Sequence, residues 1–347
     1  MKIKIFAAFA SVLLVLDLAG GALAGGKRDR KARAQTQPLV ALLPASDVVA
    51  TLDGRRFFGE ALPRILSSNQ PILSSIVAKI DEMQTKTGLD VRQFESIAVG
   101  VAARKIAAKD YDLDPVVIAR GQINSSALIG AVKLASNGKY REEKIGTRTI
   151  YVISGKDLAT AGGQAVRTTG TADKFMDKLS SDVAVTAFDG NTIIFGTPDR
   201  VRLTLGAKSR VGTDISGLLG KRESSVLNFA AKMPDGMSAF VPLDNDELGK
   251  NIDSVRYLFG SMDVGVAGAG LNLTARTLQN AQAQGLLETL EGLQMLGKAF
   301  LGGSKGPDKQ VYARLIENAK FTAKGNEVIL DLQVPQGDID ILVGYLK

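Results

Sequence analysis

The stretch Val116-Val117-Ile118-Ala119-Arg120-Gly121-Gln122-Ile123-Asn124 changes from an apolar run to helical spacing at an asparagine. The second half of the chain repeats the change in Leu271-Asn272-Leu273-Thr274-Ala275-Arg276-Thr277-Leu278-Gln279-Asn280. A short apolar run bounded by polar residues reads as a strand. Asn124 and Asn280 stand where N-caps belong, because a side-chain oxygen there accepts the unpaired amides of the first helical turn. Ala119-Arg120 and Ala275-Arg276 sit alike at the two junctions, which places each arginine as a structural ion pair or cap.

Other short matches keep the same order on either side. Leu52-Asp53 closes the run Val48 to Leu52, and Leu243-Asp244 closes Met237 to Leu243. Val99-Gly100-Val101-Ala102 returns as Val264-Gly265-Val266-Ala267. Thr186-Ala187, Gly190-Asn191 and Ile193-Ile194 are paralleled by Thr322-Ala323, Gly325-Asn326 and Val328-Ile329, with Pro198 and Pro335 beyond. Matches in a fixed order predict two tandem copies of one unit, residues 38–222 and 223–347.

Each unit reads as strand, helix, strand, strand, helix, closing hairpin and final helix. Gln70 to Lys86 places Ile72, Leu73, Ile76, Val77, Ile80 and Met83 on one helical face. Asp244 with Glu247 forms a capping box before a helix running toward Phe259. Asn280 to Leu301 is expected to be the longest helix, its stripe Leu286, Leu290, Leu293, Leu296 and Phe300 covering the second sheet. The hairpins turn at Asp189-Gly190 and Lys324-Gly325-Asn326, where glycine can supply a positive φ. Strands joined by hairpins rather than strict βαβ alternation give an α+β class with antiparallel or mixed sheets and helices packed on them. Ser154 to Ala172, rich in Gly and Thr, reads as a long loop confined to the first unit.

Ahead of these units, Lys2 and Lys4 precede the apolar stretch Ile5 to Leu16 and then Ala22-Leu23-Ala24. That order is a signal peptide over residues 1–24, with cleavage after Ala24. Asp17 interrupts the run short of the ~20 apolar residues that a spanning helix needs. The rival expectation is a membrane anchor through residues 5–24, favoured by the basic residues that follow. Lys27, Arg28, Arg30, Lys31 and Arg33 lie in a basic flexible segment over 25–37; with Asp29 they account for four of the seven net positive charges, and Pro38 onward for only two. The charge is therefore a solvated tail able to touch an anionic surface, and it names no specific nucleic-acid partner.

The chain contains no histidine and no cysteine. Imidazole-based triads, thiolate nucleophiles, zinc sites of Cys or His and disulfides are excluded with them. Asp110, Asp112 and Asp114 alternate in a loop before Val116 and resemble the start of a calcium loop. Pro115 and Gly121 occupy the places of its glycine and its bidentate glutamate, so the three aspartates are only a weak metal candidate. Ile215 and Arg222 break the phosphate-loop pattern around Gly220-Lys221. Ser136 and Lys139 have acyl-enzyme spacing, but Asn137-Gly138 between them is a helix-ending turn. No catalytic residue and no cofactor follow from these motifs.

An export leader followed by a duplicated α+β unit, poor in aromatics and reactive groups, resembles the uncharacterised secreted proteins of Gram-negative bacteria. The resemblance spans most of the chain beyond the leader, rests on pattern, and assigns no catalytic residue. It implies a periplasmic or secreted, non-enzymatic protein that binds or scaffolds a protein, a lipid or an envelope polymer. The alternatives are a carrier for an apolar ligand, which needs an aliphatic cavity, and a hydrolase using carboxylate, Lys or Ser groups.

Overall fold

The computed structural model describes residues 39–344 except 89, 108–109, 155–181, 207–208, 221–224, 237–245 and 304–305. The leader, the basic segment, the run Met237 to Leu243 and all of the long loop after Ser154 lie outside the described residues. The fold is α+β, and the sheets within both compact units are antiparallel. One unit takes the described residues up to Gly59 with Ser74–Ser216, and the other takes Glu60–Leu73 with Gly217 onward. The division thus falls at Ser216, where the sequence pattern places it at 222, and a short segment of the first half belongs to the second unit.

In the first unit the strands are β1 (Val48–Asp53), β2 (Phe94–Ala107), β3 (Asp110–Gly121), β4 (Tyr140–Ile145), β5 (Arg148–Ser154), β6 (Asp182–Asp189) and β7 (Thr192–Gly196). They lie side by side as β1-β2-β3-β7-β6-β5-β4. Helix α1 (Gln70–Thr87), which belongs to this unit from Ser74 on, follows the predicted periodicity, with Ile80 fully buried. Between β3 and β4 runs α2 (Ser125–Ala135), capped as expected by Asn124, whose Oδ1 accepts from the Ala127 amide at 3.0 Å. Helix α3 (Pro198–Gly206) follows β7.

Register assigns the faces of this sheet, because side chains alternate along a strand. Ala119 pairs with Ile193, and these two pack with Phe94, Ile123 and Leu128 of α2 on one face. Ile153 and Val185 extend that layer against Ile129. The opposite face carries Val116, Ile118 and Ile194, all with no exposed surface. Full burial of one such side chain contributes about 1.5–3 kcal/mol, so a sheet buried on both faces is a sufficient core without disulfides.

The second unit contains β8 (Leu227–Lys232), α4 (Asp246–Asp253), β9 (Val255–Gly265), β10 (Gly268–Thr277), α5 (Asn280–Leu301), α6 (Pro307–Asn318), β11 (Lys320–Lys324), β12 (Glu327–Pro335) and α7 (Gln336–Gly344). Its strand order is β8-β9-β10-β12-β11, the same sequence of neighbours as β1-β2-β3-β7-β6. The hairpins carry like contacts too: the Gly121 amide donates to the Asn191 carbonyl and the Thr277 amide to the Asn326 carbonyl. Among the described residues, the first unit alone inserts the β4–β5 hairpin. Ala275 and Val328 face Ala283 and Leu286 of α5, as Ala119 and Ile193 face α2.

Several expectations need correction. The helix beginning near Asp246 ends at Asp253, because the β-rich run from Val255 joins the sheet, and so it stops short of Phe259. Residue Gln279, not Asn280, is the N-cap of α5, and the Gln282 side chain accepts the amides of Leu278 and Gln279. Val99 to Ala102 lies within β2, whereas Val264 to Ala267 is the end of β9 and its turn, so that match is not structural. At the closing hairpins only Gly325 uses a positive φ, of 61°.

Candidate functional site

The predicted metal trio is in a strand, not a loop: Asp110, Asp112 and Asp114 all fall within β3. An extended backbone spaces their successive Cα atoms ~7 Å apart, well beyond the reach of a single loop wrapped around an ion. Directly across the β2–β3 ladder from Asp112 stands Arg104, whose Nη2 donates to Asp112 Oδ2 at 2.8 Å. Asp114 accepts instead from the Thr197 hydroxyl. Among the described residues no three carboxylates gather in a manner that could hold a metal ion.

Asp112 and Asp114 belong instead to a groove of about 560 Å³ on the face of the first sheet opposite α2. The ladder pairs Val116 with Gly196, Gly196 with Ala184, Ala184 with Val152 and Val152 with Arg141. Arg141 therefore emerges on the same side as Asp114, across the sheet on β4. Its guanidinium lies 3.3 Å from Asp182, and both residues line the groove. Helix α3 completes the wall: Arg202 donates through Nε and Nη2 to Glu143, each at 2.8 Å, and through Nη1 to Asp199 at 2.6 Å. That fork holds the Glu143 carboxyl below the usual carboxylate range, the Arg202 hydrogen bonds outweighing the smaller effect of burial.

Beneath the groove Arg200 is almost fully buried, at 3% exposure. Its Nη1 donates to the Ala45 carbonyl at 2.7 Å and its Nη2 to Ser46 Oγ at 2.5 Å. Its Nε has no partner among the described residues. Burial pushes this guanidinium's pKa down, opposed by the charges of Asp114 and Asp47. An uncompensated guanidinium would be costly here, so Asp114 has a structural task as well as a place on the groove wall.

Chemically, the groove offers paired cations and anions. Arg104 and Arg141 have side chains 78% and 68% exposed, so each can exchange its aspartate for a ligand anion while that aspartate meets a ligand cation. Ser136, the suggested nucleophile, donates to the Lys133 carbonyl at 2.8 Å, and Asn137 and Gly138 separate it from Lys139 in left-handed conformations. The acyl-enzyme geometry is absent at that turn.

A smaller cavity of about 230 Å³ lies on the sheet of the second unit, again on the face away from its long helix. A polar row crosses its strands at one register: Asn228, Ser261, Asn272 and Asp331. Asn272 donates to Asp331 at 2.9 Å. Beside it Arg276 grips Glu327 through Nε at 2.9 Å and Nη2 at 2.6 Å, while Arg120 donates to Thr192 at 2.9 Å in the first unit. Both strand-end arginines thus tie β3 or β10 to the next strand. Neither cavity has the aliphatic lining of an apolar-ligand carrier. Of the groove, the sequence pattern singles out only Asp112 and Asp114; Arg104, Arg141 and Asp182 come from separated strands, Asp199 and Arg202 from α3, and Thr197 from the link between β7 and α3.

No family model matches the chain, and no curated protein matches it. Solved structures that resemble it include crystal form IV of TP0453, at 13% identity over 91% of this chain and 99% of the other, with a TM-score of 0.45. Crystal form I of the same protein gives 12% identity over 90% and 98%, with a TM-score of 0.42.

Proposed function

We propose that the protein is an exported, non-enzymatic binding protein of the cell envelope that takes a charged segment of a protein or polymer in the groove of its first unit. The observation that carries this reading is the groove's composition: exposed arginines, each paired exchangeably with an aspartate, on a sheet face. Such a surface recognises a ligand bearing both signs of charge, and it offers orientation rather than an activated nucleophile. Export rests on the leader-like order of residues 1–24, and the absence of cysteine removes any need for an oxidising compartment.

The test is photo-crosslinking in an expressing cell, with a photoreactive residue at Asp199 on the groove rim or at Leu134 on α2 as a control. Adducts at 199, absent at 134 and suppressed by Arg104→Glu with Arg141→Glu, are expected. Equal adducts at both positions, or none at 199, would sink the reading.

A further inference from the structure

We infer that the end of the hairpin formed by α5 and α6 is a docking surface for an anionic lipid bilayer. Helix α5 is about 33 Å long at 1.5 Å per residue, and its first half is the part buried against the sheet. Beyond Leu290 the helix keeps presenting large apolar side chains, now turned to solvent: Met295 is 70% exposed, Leu296 56% and Phe300 81%. At 100° per residue these three and Ala299 share one arc of the helix, with Lys298 outside it. Gln294 fixes the hairpin by donating to the Ile316 and Ala319 carbonyls at 2.6 and 2.8 Å. The other end of α6 is thereby returned to the Phe300 end of α5, and Tyr312 there is half exposed.

The charges around this apolar end select its occupant. From Met295 to Tyr312 the described residues carry Lys298 and Lys309 against a single acid, Asp308. Lys298 and Lys309 are exposed. Leu and Phe at the end of a helical hairpin, flanked by lysines, can enter the headgroup boundary while the ammonium groups meet anionic lipid. Considered alone, α5 has too few cations for this role; α6 adds Lys309. A second copy of this chain would bring the same positive charge and repel at close range, which argues against self-pairing here. This proposal does not depend on the groove or on its ligand.

The chain has no tryptophan, so Phe300→Trp gives the full chain a single reporter, with Leu134→Trp on α2 as its control. Leu134 is equally exposed, at 81%, and lies in the other unit. Vesicles of phosphatidylcholine with ~30% phosphatidylglycerol should shift the indole emission of the Phe300→Trp chain to the blue and expose it to quenching by brominated acyl chains. The emission of the Leu134→Trp chain should not change. Pure phosphatidylcholine or raised salt should weaken the effect, and adding Met295→Ser with Leu296→Ser to the Phe300→Trp chain should lower its partitioning by roughly 100-fold. No shift with either vesicle would overturn the proposal. A blue shift without vesicles that grows with protein concentration would overturn it in favour of a second copy.

Discussion

Glu143 shows how a single residue of the groove couples its geometry to pH. The Arg202 fork stabilises the carboxylate, so its folded pKa lies below the ordinary value near 4.5. A lowered folded pKa means that the stabilisation is present in full above the unfolded value and is lost as pH falls through the folded one. Both partners are about one-third exposed, which limits the pair to under ~1 kcal/mol after solvent screening. Glu143→Gln should therefore lower the urea midpoint at about pH 7 and lower it by less at about pH 3, below the ordinary carboxylate value, where part of that stabilisation is already lost. A midpoint lowered equally at both pH values would mean that the side chain acts by packing. None of this is legible in the sequence, because Glu143 and Arg202 lie far apart in the chain and meet only when β4 enters the sheet beside α3. Arg104 and Asp112 are different: they flank a hairpin at similar distances from its turn, and strand pairing alone could have matched them.

At the scale of elements, α5 is the instructive case. Its apolar spacing predicts one continuous core-facing stripe from Leu286 to Phe300, and the helix does span Asn280–Leu301. Periodicity reports a helix and its apolar face, but it carries no information about how far the covering sheet extends. Leu286 is buried against Ala283 and Val328, whereas Met295 on the same helix is exposed. Leu286→Ala should cost about 2–4 kcal/mol in chemical unfolding, since it removes burial and leaves a cavity. Met295→Ala should stay within about 0.5 kcal/mol, as surface substitutions do. A comparable loss for both would show that the second half of α5 is covered in solution. The β3 aspartates are misplaced by the sequence pattern for a related reason: acidic residues depress strand propensity, yet β2 pairs with the whole of β3 and overrides it.

For the whole molecule, the strands of the first unit run in the neighbour order β1-β2-β3-β7-β6 and those of the second in the matching order β8-β9-β10-β12-β11. The sequence carries that relation at Ala119-Arg120, Ala275-Arg276 and the closing hairpins, where a ladder, a cap and a turn fix residue types together. It misleads at Val99 to Ala102, because small and β-branched residues serve a strand interior and a strand end equally well. Of residues 1–37 only sequence speaks, and it makes two incompatible offers. An n-region, an apolar run and Ala22-Leu23-Ala24 favour cleavage, while the basic cluster from Lys27 favours retention on the side of synthesis. Cleavage needs small residues at the two alanine positions, and an anchor does not. Mass spectrometry of protein from the soluble envelope fraction is therefore expected to give a chain beginning at Gly25, and Ala22→Asp with Ala24→Asp to leave Met1 in the membrane fraction. Wild-type protein found only in the membrane with Met1 intact would reverse the assignment, making residues 5–24 an anchor and the two units a scaffold held at that surface.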